Sequence, residues 1–237
     1  MVEVDKARWT ARAAMCELLA LSLRYPDEML SDVISSGEWV SAARELASAL
    51  DLALPGSFGE GLLDADKVGE GGVGGVSCEA GWDDPASVLR KLRPEATRLF
   101  VGAPNPVCSP YEGVWRAEDD GVQPLMFVNP HSMDVERFCR ACGLGRPEGT
   151  NEPLDHAATE FELTCLLASV VAGIAEPVVP EVDLPGGSAR AACEEFFDEH
   201  QSAWMRGFSQ RLESEARLPF YRSVAQLISA YLDLKGF

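Results

Sequence analysis

The chain is short of positive charge, of histidine and of long apolar runs, and no stretch of useful length alternates apolar with polar residues. Against 38 acidic side chains stand 20 Lys and Arg, a net charge of −18. Nucleic-acid binders present a basic face that displaces counterions from phosphates, so this balance excludes a nucleic-acid partner and favours a cationic one. The longest apolar run, Leu163 to Ala175, is broken by Thr164 and Ser169 and closed by Glu176-Pro177. It falls well short of the roughly 20 residues that cross a bilayer, which argues against stable membrane insertion. The first residues are charged and lack an apolar signal core, and the cysteines number seven, an odd set. Reduced thiols and a cytoplasmic location are therefore expected.

With β alternation absent, apolar residues recur at helical spacing, and the expected fold class is all-α: one helical domain of about ten helices, or two lobes hinged near 145–152. Hydrophobic residues make up 46% of the 237, enough for a sizeable core. Lys6 to Arg24 reads as one helix with Trp9, Ala13, Cys16, Leu19, Ala20 and Leu23 on a face, ended by Tyr25-Pro26. Asp27 to Ser35 and Trp39 to Leu54 follow. Pro55 to Trp82, with five glycines between 69 and 75, reads as a flexible insertion. Helix returns from Ala86 to Phe100 through Pro94, a proline-rich connection runs from Pro104 to Pro124, and Asp134 to Cys142 is a short helix stopped by Gly143. Pro177 to Gly187 reads as a linker, Ser188 to Arg217 as a long helix, and Pro219 to Lys235 as the last, with Tyr221, Val224, Leu227, Ile228, Tyr231 and Leu232 inward.

The common catalytic signatures are missing. There is no Gly-Lys-Ser/Thr phosphate loop to support nucleotide binding, no Gly-x-Ser-x-Gly elbow and no His-Glu-x-x-His helix. Gly69 to Gly74 spells the dinucleotide fingerprint, but no strand precedes it and no amphipathic helix follows. Cys139 and Cys142 form a lone Cys-x-x-Cys; zinc would require Cys165, His131 or His156 to complete the ligand set, and both cysteines fit an apolar face with Phe138. His200 and Trp204, one turn apart, read as packing residues.

What is present is a dense polar segment, Glu152-Pro153-Leu154-Asp155-His156 followed by Glu160 and Glu162. Asn151 is a candidate N-cap and Pro153 a candidate first helical residue, with acids meeting the positive end of the helix dipole. On that reading Leu154, Ala157, Ala158, Phe161, Cys165, Ala168 and Ala172 face a core. Asp155, Thr159 and Glu162, with His156 and Glu160 beside them, form an exposed facet. An acid and histidine facet at the start of a buried helix suits a binding cleft.

Glu152-Pro153-Leu154-Asp155-His156 with Glu160-Phe161-Glu162-Leu163 resembles the Glu-Pro-x-Asp-His-x-x-x-Glu-Leu-x-Phe signature of the TorD/DmsD/NarJ family of redox-enzyme maturation chaperones. Thr97 to Gly102 and Ser109 to Trp115 resemble further family segments, the latter with its aromatics permuted to Tyr111 and Trp115 and with Gly113 in place of a serine. Arg137-Phe138 to Gly143-Leu144, and Glu199-His200 with Trp204 and Phe208, are similar to two more. The resemblance runs in order over roughly residues 8 to 235.

It implies a non-enzymatic, all-helical chaperone that binds the twin-arginine signal peptide and apoprotein of a molybdopterin oxidoreductase, assists cofactor loading and delays export, holding no metal or cofactor of its own. Such a guest presents two arginines and then an apolar stretch, so its receptor should pair carboxylates with a hydrophobic groove. The candidate signal-peptide-binding residues are Asp155, Glu152 and Glu112 for charge, Tyr111 and Trp115 for apolar contact, and His156 for orientation. A homodimer that exchanges helices through the flexible connections is compatible with this reading. The alternative is a metal-dependent hydrolase using Asp155, His156 and Glu160.

Overall fold

A computed structural model describes residues 2–63, 84–103, 105–121, 129–145 and 153–234. Ten α-helices run through them: α1 (Val2–Leu23), α2 (Glu28–Ser35), α3 (Glu38–Ala49), α4 (Pro85–Ala96), α5 (Glu112–Asp119), α6 (Pro130–Ala141), α7 (Ala157–Val171), α8 (Ala189–Phe196), α9 (Ser202–Glu215) and α10 (Pro219–Leu232). Among the described residues the one β feature is an isolated antiparallel bridge between Tyr111 and His156. The all-α expectation holds, and no described helix is long and apolar enough to cross a membrane.

Local chemistry sets four of the ten helix starts in the same way. Asp27, Asp84, Asn129 and Ser188 each sit just before a helix, and their side-chain oxygens accept from amides of the first turn, with Pro85 and Pro130 at first positions. The third helix stops at Ala49 instead of reaching Leu54, because Asp51 adopts a left-handed backbone (φ 57°) that no helix can continue. The fourth passes through Pro94 and widens into a π-turn over Thr97–Val101. A second π-turn, Phe197–Gln201, joins α8 to α9 where one uninterrupted helix was expected. The segment from Pro104 to Pro124 is not all connection: Glu112 to Asp119 contains no proline and forms α5. The glycine-rich stretch and, beyond residue 145, the expected hinge near 145–152 lie outside the described residues.

Two apolar clusters form the core. The larger gathers α1, α2, α3, α4, α9 and α10 around Trp39, Phe58, Phe208, Phe220 and Tyr221; the smaller joins α6, α8 and the later turns of α7 around Phe138, Phe196, Leu163 and Leu167. Helices α1 and α7 lie against each other and contribute to both clusters, so the two halves share a spine. Each buried Leu or Phe along it contributes about 1.5–3 kcal/mol. On the far side Arg98 and the Arg217 amide converge on Glu95, tying α4 to the α9–α10 corner.

Candidate functional site

Helix α7 does not begin where the Pro153 pattern places it. The residue before its first turn is His156, whose Nδ1 accepts from the Ala158 amide at 3.1 Å. Asp155 is drawn elsewhere. Its Oδ2 accepts from the Gly113 amide at 3.0 Å and from the Ser132 hydroxyl at 2.6 Å, so it caps the start of α5 from 42 residues away. Backbone bonds from Glu112 N to Asp155 O and from Ala157 N to Pro110 O complete the bridge.

Gly113 is required by this arrangement. A Cβ there would run into Ser132 Oγ and crowd Asp155 Oδ2 and Asn129. The space that a side chain at 113 would need is taken by the Ser132 hydroxyl, presented from α6. Asn129 closes the knot, donating from Nδ2 to Gly113 O at 2.5 Å.

Behind the bridge lie the other acids. Glu112 is fully buried and pairs with Arg116 Nη1 (3.2 Å) and His200 Nδ1 (3.1 Å). Glu160, also fully buried, accepts from Trp204 Nε1 at 3.2 Å. Asp155 is 1% exposed. The expectation that these carboxylates line the mouth of a cleft is therefore corrected: they are internal polar groups, kept there because each has donors within reach. His200 and Trp204 are correspondingly more than packing residues. Burial, and then the neighbouring Glu112 charge, pushes Glu160 well above the usual carboxylate range. Burial also raises Asp155, against the pull of the Ser132 and Gly113 hydrogen bonds.

In front of the bridge is a cleft of about 570 Å³. The end of α1 (Leu23, Arg24), Tyr25, the π-turn (Phe100, Val101), Tyr111, Leu154, His156 and Glu162 line it. The Tyr111 and His156 rings meet edge to face at 5.2 Å. Burial, and then the Arg24 charge, depresses the His156 pKa to about 4, so at neutral pH the ring is uncharged. With Nδ1 accepting, Nε2 carries its proton.

Of the residues proposed from the sequence, Tyr111 and His156 thus line the cleft, while Asp155 and Glu112 stand behind it. Trp115 packs on Trp204 and Phe208 and donates from Nε1 to Ser109 O. Glu152 lies outside the described residues. Arg24, Tyr25 and Phe100 are not among the site residues expected from the sequence, where Arg24 closes a helix, Tyr25-Pro26 ends it and Phe100 belongs to the family-like segment Thr97 to Gly102.

The arrangement gives the hydrolase alternative no support, since Glu160 points into the interior while His156 lines the cleft. Among the described residues no three His, Cys, Asp or Glu side chains are grouped to hold a metal. Cys139 and Cys142 are buried, and burial pushes both thiols far from the reactive range.

A family model described as the nitrate reductase delta subunit matches residues 60–210, well over half of the chain. The chain belongs to this family. Its members, NarJ- and TorD-like, are chaperones of molybdoenzyme maturation, in agreement with the resemblance read from the motifs. No curated protein matches the chain. The delta-subunit match spans α4 to α9, and so takes in the Tyr111–His156 bridge and the buried acids behind it.

Proposed function

We propose that the chain is a cytoplasmic chaperone that captures the twin-arginine leader of a molybdopterin oxidoreductase apoprotein in the cleft before the Tyr111–His156 bridge. The observation that carries this reading is the composition of that cleft: aromatic and aliphatic walls from Tyr25, Phe100, Tyr111 and Leu154, with the Glu162 carboxylate on its edge. Guanidinium groups stack on aromatic faces and pair with carboxylates, and an apolar stretch fills an apolar wall, so a leader of two arginines followed by apolar residues fits both halves. Asp155, Glu112 and Trp115 serve in this scheme as positioning residues. They hold the α5 and α7 starts in register, and Glu152 supplies a further carboxylate for the guest's arginines.

Tyr111→Ala is expected to weaken binding of a synthetic twin-arginine leader about tenfold, read by calorimetry, while helicity by circular dichroism is unchanged. Affinity equal to wild type rejects the cleft as the seat. Affinity should also fall as salt rises from about 50 to 500 mM, and insensitivity to salt rejects the charge pairing.

A further inference from the structure

The acid that lines the cleft is already matched. Glu162 lies on α7, and two nitrogens of the Arg24 guanidinium converge on its Oε1, Nη2 at 2.5 Å and Nε at 2.7 Å. Arg24 follows the last residue of α1, its amide still bonded to Ala20 O, and Tyr25-Pro26 turns the chain away. The pair is also a partition. Both residues line the cleft on one side and, on the other, an apolar groove of about 580 Å³ walled by Leu18, Leu21, Leu46 and Leu166.

From this geometry we infer that Arg24 is a built-in stand-in for an arginine of the guest, and that binding exchanges one guanidinium for another on Glu162. The inference rests on the capture reading above and names the residues that set its specificity. Three observations support it. A cationic guest entering this cleft meets Glu162 with its charge already balanced, so recognition by charge requires Arg24 to leave. The pair is displaceable, because the side chains are 56% and 30% exposed and solvent weakens an ion pair of that kind. Departure of Arg24 removes the wall between cleft and groove, so the apolar residues that follow the guest's arginine reach an apolar surface continuous with the charged contact. The exchange favours arginine over lysine, since a planar fork replaces a planar fork. It also takes a positive charge away from His156, whose protonation Arg24 opposes.

The test is calorimetric titration of two synthetic peptides, one with two adjacent arginines before a leucine- and alanine-rich stretch and one with lysines in their place. Wild type, Arg24→Gln, Glu162→Gln and the double variant are compared, with circular dichroism as the check on folding. Arg24→Gln should bind the arginine peptide about tenfold more tightly and Glu162→Gln about tenfold more weakly; the double variant should lie close to Glu162→Gln, because without that carboxylate there is no ion pair to exchange. The lysine peptide should also gain from Arg24→Gln, since the same pair no longer has to break, but should stay the weaker ligand of every protein that keeps Glu162. Binding to Arg24→Gln alone also supports the exchange. Equal affinity across the four proteins overturns the exchange and leaves peptide capture standing, whereas no binding by wild type and Arg24→Gln alike overturns peptide capture itself.

Discussion

Asp155→Ala is expected to destabilise the protein by roughly 2–5 kcal/mol, because it strips the acceptor from the buried Gly113 amide and the part-buried Ser132 hydroxyl at once. The Gly113 amide and the Ser132 hydroxyl both end on Asp155 Oδ2, while Asn129 closes over Gly113 O. Asp155→Asn keeps an oxygen in the same place. Since burial already disfavours the charged carboxylate there, the asparagine variant should fall within about 1 kcal/mol of wild type. Urea unfolding of the three proteins decides the matter. A loss below about 0.5 kcal/mol in the alanine variant, accompanied by weaker leader binding, would mean that the carboxylate meets the guest directly and is not a tether. The expected pattern is the opposite: stability and binding fall together in Asp155→Ala, and both persist in Asp155→Asn.

The location of this hub was legible in the sequence, and its geometry was not. Helical periodicity identified the inward faces of α1 and α10, because that signal depends on neighbours within a turn, whereas the Asp27, Asn129 and Ser188 caps went unread and α6 starts four residues before the expected Asp134. The Glu152 segment attracted attention for the right reason, an unusual density of acid and histidine. Its acids were read outward because, within the segment, nothing satisfies a buried carboxylate. Their partners lie far away in sequence: Gly113 is 42 residues from Asp155, Trp204 is 44 from Glu160, and His200 is 88 from Glu112. The start of α7 was displaced for the same reason. Pro153 and the early acids predict a helix from about residue 152, but Asp155 caps α5 instead of its own chain, and the cap falls to His156. Helix α5 was hidden by the prolines on either side of it, although its eight residues contain none.

Glu160 should set the alkaline side of the stability profile. In the folded chain Glu112 and Asp155 approach it as like charges, Trp204 donates to it, and burial outweighs that hydrogen bond, so it holds its proton at pH values where the unfolded chain has lost it. The sign follows from proton counts. Above the ordinary carboxylate pKa the folded state binds one more proton than the unfolded state, so stability declines as pH rises from there toward the raised folded value, at up to ~1.4 kcal/mol per pH unit. Asp155, also raised, adds a slope of the same sign. Glu95 acts in the other direction. Burial would raise it, but the Arg98 side chain and the Arg217 amide hold it low, so its contribution is present above the ordinary pKa and is lost as pH falls through the folded value. Glu160→Gln should keep the acceptor for Trp204 while removing the titration. Between about pH 5 and pH 8 its unfolding free energy should therefore be flatter than wild type, and the variant should be the more stable protein at the alkaline end. Urea titrations at the two pH values and one between them measure this. Parallel profiles, or a glutamine variant that is less stable at about pH 8, would show that Glu160 is ionised in the folded chain.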